Sequence, residues 1–149
     1  MVISGENMNE IPTLKIFLGE YTPSFTSGSR IALPKKIREK ISGNNLIFTK
    51  GLERCLLGYD PSDWNAEARK HLEAPISDSK TRHLKQYFFS GAVDTEIDDQ
   101  GRVVIPPILL DYASLKKEVV VIGAGDHFEI WDQTSWKKHL SRVSEEISE

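Results

Sequence analysis

A single cysteine, Cys55, stands in 149 residues, so no disulfide can form within the chain and no CxxC zinc motif exists. That usage suits a reducing compartment, and the cytoplasm is the expected location. No apolar run approaches the roughly 18 residues that a membrane span needs. Met1 to Asn9 carries neither a basic stretch nor a long apolar one, so an export signal is not expected. The four histidines, His71, His83, His127 and His139, lack metal-ligand spacing, and neither a metal nor another cofactor is expected. An excess of one charge is missing too: 19 Lys and Arg face 22 Asp and Glu, for a net charge of −3. As an average, that balance argues against a nucleic-acid partner. What is present is 39% apolar and 28% charged residues, enough at this length for a real hydrophobic core.

The chain repeats itself. A shift of 72 positions aligns Phe17 with Phe89, Gly19 with Gly91, Arg30 with Arg102, Pro34 with Pro106, Ser42 with Ser114, Gly51 with Gly123, Asp60 with Asp132 and Trp64 with Trp136, without a gap. Apolar positions follow, with Ile31 and Leu33 matching Val103 and Ile105, and Ile47 and Phe48 matching Val119 and Val120. Each copy reads as a polar hairpin turn, Thr26-Ser27-Gly28-Ser29 or Asp98-Asp99-Gln100-Gly101, followed by an alternating strand. A proline then suits the first turn of a short helix, and two further strands follow, Leu46 to Thr49 with Cys55 to Tyr59, and Glu118 to Ile122 with His127 to Trp131. Asp60-Pro61-Ser62 and Asp132-Gln133-Thr134 each open a helix with a tryptophan stripe, and Ser77 to Phe88 predicts another. The expected organisation is a disordered extension over 1–16, a first repeat over 17–64, a helical linker over 65–88, a second repeat over 89–136, and a C-terminal helix and tail over 137–149.

Enzymatic readings fail on geometry. Gly123-Ala124-Gly125 follows an apolar strand, but Phe128 stands where the third glycine of a dinucleotide fingerprint belongs, and the next residues alternate as a strand. Cys55, beside Leu56 and Leu57, reads as a small buried hydrophobe. No nucleophile, base and orienter come together, so the chain is not expected to be an enzyme. The turns carry more. Asp98 and Arg102 lie across one hairpin, close enough to pair and aim the guanidinium; as a surface ion pair alone this would contribute under about 1 kcal/mol. The charge average also hides a segment: Lys15 to Arg54 holds eight basic residues against three acidic ones. Arg30, Lys35, Lys36 and Arg38 cluster on one hairpin-helix unit, the electrostatic pattern of phosphate contact.

These strings resemble the MraZ family of bacterial transcriptional regulators, whose halves each resemble the SpoVT/AbrB-type swapped-hairpin module. Asp98 to Pro107 matches the family's Asp-x-x-x-Arg hairpin, and Lys117 to Gly123 leading to Phe128-Glu129-Ile130-Trp131-Asp132 matches its second characteristic stretch. Phe17 to Tyr21 and Thr49-Lys50-Gly51-Leu52 support the first copy. The resemblance implies an α+β, mainly β fold, a swapped-hairpin β-barrel built from both repeats with helices outside, assembled into a ring-shaped homo-oligomer. It also implies binding to double-stranded DNA at direct repeats upstream of the division and cell-wall operon, including the protein's own promoter, and association with the nucleoid. Arg30 and Arg102, with Asp98 as partner of the second, are the DNA-contacting residues it implies, and Lys35, Lys36 and Arg38 are expected to support them. The first copy departs from the pattern: Thr26 replaces the aspartate, the turn glycine is Gly28 rather than residue 29, and about sixteen residues precede the usual family start. The competing expectation is a structural or interaction ring protein without specific DNA binding, in which the helices carrying Trp64 and Trp136 mediate assembly.

Overall fold

The computed structural model describes residues 15–26 and 29–148. The extension over 1–16, apart from Lys15 and Ile16, then Ser27 and Gly28, where a turn is expected, and Glu149 lie outside the described residues. Nine strands and five helices are found among the described residues, and all named strand pairs are antiparallel. In chain order they are β1 (Glu20–Tyr21), β2 (Phe25–Thr26), β3 (Arg30–Ala32), α1 (Lys35–Arg38), β4 (Asn45–Lys50), β5 (Leu56–Tyr59), α2 (Pro61–Glu73), α3 (Ser79–Gly91), β6 (Val93–Glu96), β7 (Arg102–Val104), α4 (Pro107–Ala113), β8 (Val119–Gly123), β9 (Phe128–Asp132) and α5 (Gln133–Ser148).

The strands form two sheets. One has the order β1-β8-β9-β5-β4-β6, which interleaves strands of both copies, and the other has the order β2-β3-β7. A closed barrel is not present among the described residues; the α+β class with a strand-built core is. Alternation decides the layers. Leu46, Phe48, Leu56, Val119, Val121, Phe128 and Ile130 point from the larger sheet into the main core, where they meet Ile31, Val103, Ile37 and Leu109 from the smaller sheet and its helices. The opposite face carries Leu57, Tyr59 and Trp131, covered by Trp64 of α2, Phe88 of α3 and Trp136 of α5. Cys55 lies in that second cluster, buried as expected, and burial pushes its thiol pKa up. Gly58 is a point of close approach, since a Cβ there would fall 2.3 Å from the Phe128 ring.

Caps explain the helix starts. The Asp60 carboxylate accepts from the Ser62 N–H at 3.2 Å with Pro61 in the first turn, and Asp132 accepts from the Ser135 N–H at 3.0 Å. Asp78 caps α3 through the Thr81 N–H, which moves the start from the expected Ser77 to Ser79, and the helix runs on through Gly91. Phe89 therefore lies in the last turn of a helix, whereas Phe17 is fully buried and bridged to Gly125.

The registers also correct the gap-free alignment of the copies. Tyr59 pairs with Ile47 and Trp131 with Val120, so the central strands β5 and β9 match at 72 residues apart but their partners β4 and β8 at 73. The same holds where Val93 pairs with Phe48 and Tyr21 with Val121, and where Gly51 and Ala124 donate to the carbonyls of Cys55 and His127. Gly51 thus corresponds to Ala124, not to Gly123. The second copy gains its extra residue between Ala113 and Val119, and the inward pair Leu46 and Phe48 corresponds to Val119 and Val121. A one-residue slip exchanges the two faces of a strand, so burial could not tolerate the other register.

Candidate nucleic-acid interface

The smaller sheet brings the two arginines together. Its central pairs are Arg30 with Val104, Ile31 with Val103 and Ala32 with Arg102, an arrangement with a local twofold through Ile31 and Val103. Flanking hydrogen bonds obey the same symmetry: the Ile105 N–H donates to the Ser29 carbonyl and the Leu33 N–H to the Gly101 carbonyl, both at 2.9 Å. Because Ile31 and Val103 are buried, alternation sends Arg30, Ala32, Arg102 and Val104 to the outer face. Arg30 is exposed and Arg102 half-buried.

The second hairpin is built around Asp98. Its carboxylate accepts from the N–H groups of Gln100 at 2.8 Å and Arg102 at 2.9 Å, and from Nε of Arg102 at 3.2 Å. These bonds, the Arg102 N–H foremost, hold the Asp98 carboxyl below the usual carboxylate range. Only Nε of the guanidinium is hydrogen-bonded to this carboxylate, so the donors of its terminal amino groups are left for another partner. The loop also needs Gly101, which has φ of 77° and sits where a Cβ would collide with the Arg38 guanidinium. Arg38, in the first copy, is thereby packed on the turn of the second.

The first hairpin is organised differently. Thr26 Oγ1 donates to the Arg30 carbonyl at 3.4 Å, and no carboxylate pairs with Arg30 among the described residues. Ser29 nevertheless keeps the left-handed backbone of its counterpart Gly101, with φ of 72°. Lys35 and Lys36 are exposed on α1; the matching positions on α4 are Pro107 and Ile108, the latter 70% exposed. The two copies therefore present a basic edge and an apolar one.

Several cations of the basic segment are occupied internally. The Lys15 ammonium pairs with fully buried Asp60 and reaches Ser62 at 3.2 Å and Ser42 at 3.4 Å. Burial alone would raise the Asp60 pKa, but hydrogen bonds from Lys15, Ser62 and the Ser42 N–H turn the shift downward. Lys50 lies 5.2 Å from the Tyr87 ring centre, and Arg54 lies 5.1 Å from that of Tyr112. What faces outward is Arg30, Lys35 and Lys36, with Arg38 and Lys40 half-buried.

Sequence reasoning missed one charged cluster. His127 places Nδ1 2.8 Å from Asp126 and Nε2 2.8 Å from Glu129, while Glu129 also accepts from Trp131 Nε1 at 2.8 Å. The i, i+2 spacing of His127, Glu129 and Trp131 on one strand face was the available signal. Among the described residues no three His, Cys, Asp or Glu side chains gather as a metal site requires, and no helix is long and apolar enough to cross a membrane.

Comparison with known proteins adds the family. The model described as "MraZ protein, putative antitoxin-like" matches twice, over residues 16–87 and 88–149. A Transcriptional regulator MraZ of Caldicellulosiruptor bescii is 40% identical over 126 residues, covering 85% of this chain and 87% of the relative. The protein of the same name from Clostridium acetobutylicum is 36% identical over 140 residues, covering 90% and 98%. One from Arthrobacter sp. is 41% identical over 134 residues, covering 90% and 94%.

Proposed function

Because the chain belongs to the MraZ family, we propose that it is a sequence-specific DNA-binding transcriptional regulator that contacts double-stranded DNA through the outer face of β3 and β7. The observation that carries this reading is the convergence of Arg30 and Arg102 on that face, one from each copy, around a local twofold. Relatives named as transcriptional regulators support the role. Lys35, Lys36 and Arg38 add phosphate contacts beside Arg30, and Asp98 aims Arg102.

In this reading the two sheets are the halves of a swapped-hairpin barrel, and several copies form a ring. One protomer neutralises few phosphates, so its affinity is low and falls steeply with salt, by roughly 0.9 log units per phosphate for each tenfold rise. A ring tethers the contacts, and avidity of about 10²–10⁴-fold follows when the DNA offers repeats at matching spacing. Copies related by rotation suit direct repeats, whereas an isolated twofold pair would suit inverted ones. The natural target is the DNA upstream of the division and cell-wall operon, the protein's own promoter included, and the natural location is the nucleoid within the cytoplasm.

Gel-shift titrations over a salt series test this with Arg30→Ala, Arg102→Ala and the double variant on a duplex carrying the upstream repeats. The expected result is a loss of affinity in each single variant and a shallower salt slope in both. Unchanged binding in all three would overturn the assignment. The second reading, a ring protein that assembles without specific DNA binding, is favoured by apolar side chains left exposed on helices, Leu72 of α2 at 66% and Ile147 of α5 at 78%. An intact ring that fails to retain the duplex at low salt would select it.

A further inference from the structure

We infer that Val104 reads the 5-methyl group of thymine in the major groove and is a determinant of base preference, an inference that rests on the DNA-binding reading above. Val104 is the cross-strand partner of Arg30, and its neighbour two residues away on the same face is Arg102. The described outward positions of the three strands are Thr26, Arg30, Ala32, Arg102 and Val104. Among them Val104 presents the largest aliphatic group, 46% exposed, on a strand whose inward residue, Val103, is fully buried. A face that sets two guanidiniums against DNA sets Val104 against it as well. Guanidiniums read guanine or hold phosphate, and an aliphatic side chain at groove depth has one complementary group on a base edge, the thymine methyl. An antiparallel ribbon fits the major groove in the orientation this requires. The local twofold puts Ala32 in the equivalent place beside Arg102, so the two half-faces differ in reach: the second copy extends two methyl groups where the first extends one.

The test uses the full chain and a duplex of DNA taken from immediately upstream of its own coding sequence, prepared once with thymidine and once with deoxyuridine throughout, which removes only the methyl groups. Wild type is expected to bind the deoxyuridine duplex roughly fourfold more weakly per contacted methyl. Val104→Ala and Val104→Ser are expected to bind both duplexes alike, with circular dichroism and particle size unchanged. Equal binding of the two duplexes by wild type overturns the inference and leaves the regulator reading standing. A methyl effect that persists undiminished in both variants overturns it too, since the methyl is then read elsewhere, as does a fall in particle size with the methyl effect intact, which assigns Val104 to a subunit contact. Failure of wild type to bind the thymidine duplex at all overturns the regulator reading and this inference together.

Discussion

Ser29 has φ of 72°, a region in which a side chain costs roughly 1–2 kcal/mol relative to the right-handed form. Its counterpart Gly101 adopts the same conformation without that cost. Ser29→Gly is therefore expected to stabilise the fold by about 1 kcal/mol, a rise of about 2–4 °C in Tm for a chain of this size, and Ser29→Val to lower it, both measurable by thermal melting. His127 makes a pH-dependent contribution. Both ring nitrogens face carboxylate oxygens, and both can donate only in the imidazolium form. Burial on its own would lower the His127 pKa, but the hydrogen bonds with Glu129 and Asp126 outweigh it and raise the value above that of an ordinary histidine. A raised folded-state value means that the stabilisation is fully present below the unfolded pKa of about 6.5 and is lost as pH rises through the folded one. Glu129, held below its usual range despite its burial, contributes in the opposite sense, so its share is lost as pH falls through its own folded value. Urea melts between pH 5 and 9 should show stability declining on the alkaline side in wild type, and His127→Gln should flatten that decline; an unchanged slope would dismiss the cluster. The His127 cluster has a local signal in its i, i+2 spacing, but the pairing of Lys15 has none, because its partner Asp60 lies 45 residues away and only the fold brings them together.

Hairpins and capped helices were the elements most open to sequence reasoning, because their signals are local: Asp98 at the head of a Gly101 turn, Asp60 before α2, and Pro34 and Pro106, expected in the first turns of α1 and α4 and found one residue earlier, at their N-caps. What was not readable was the register of β4 against β8. The identity of Gly51 with Gly123 rewarded a gap-free match, yet the hydrogen bonds equate Gly51 with Ala124, and only the inward packing of Phe48 and Val121 shows which is right. The candidate site divides the same way. Arg30 and Arg102 stood out as repeat positions, but their common face with Val104 depends on a strand pairing between copies. At the second hairpin the turn and α1 are coupled through Gly101 and Arg38. Gly101→Ala is expected to cost about 1–2 kcal/mol from the left-handed backbone alone. In an Arg38→Ala background the further cost of expelling the guanidinium should vanish. A double-mutant cycle by urea denaturation measures that difference, and strict additivity would show that Arg38 yields freely. Gly101→Ala should also weaken DNA binding, since the turn it distorts is the one that aims Arg102.

At the scale of the molecule, the two copies do not stand side by side as separate units. Ion pairs across surfaces contribute little; the joining is done by apolar burial in a core to which both copies contribute, from Ile31 and Phe48 on one side to Val103 and Phe128 on the other. Either half expressed alone, 15–87 or 88–148, is expected to lack a cooperative thermal transition, and mixing the two should restore one if the interface is as complementary as the pairing implies; a sharp transition in an isolated half would refute this. The interleaving has a further consequence at the ribosome. β1 finds its partner β8 only some hundred residues later, and β5 pairs with β9, which ends at Asp132. A nascent chain that has exposed the whole first copy still presents unpaired edges of β1 and β5, with Phe17 and Phe48 lacking the Phe128 ring against which both pack. Contacts so distant in sequence close slowly and late. Completion of the core thus waits for the strands of the second copy, and the arginine-bearing face, which needs β3 and β7 together, cannot form before β7 has been made.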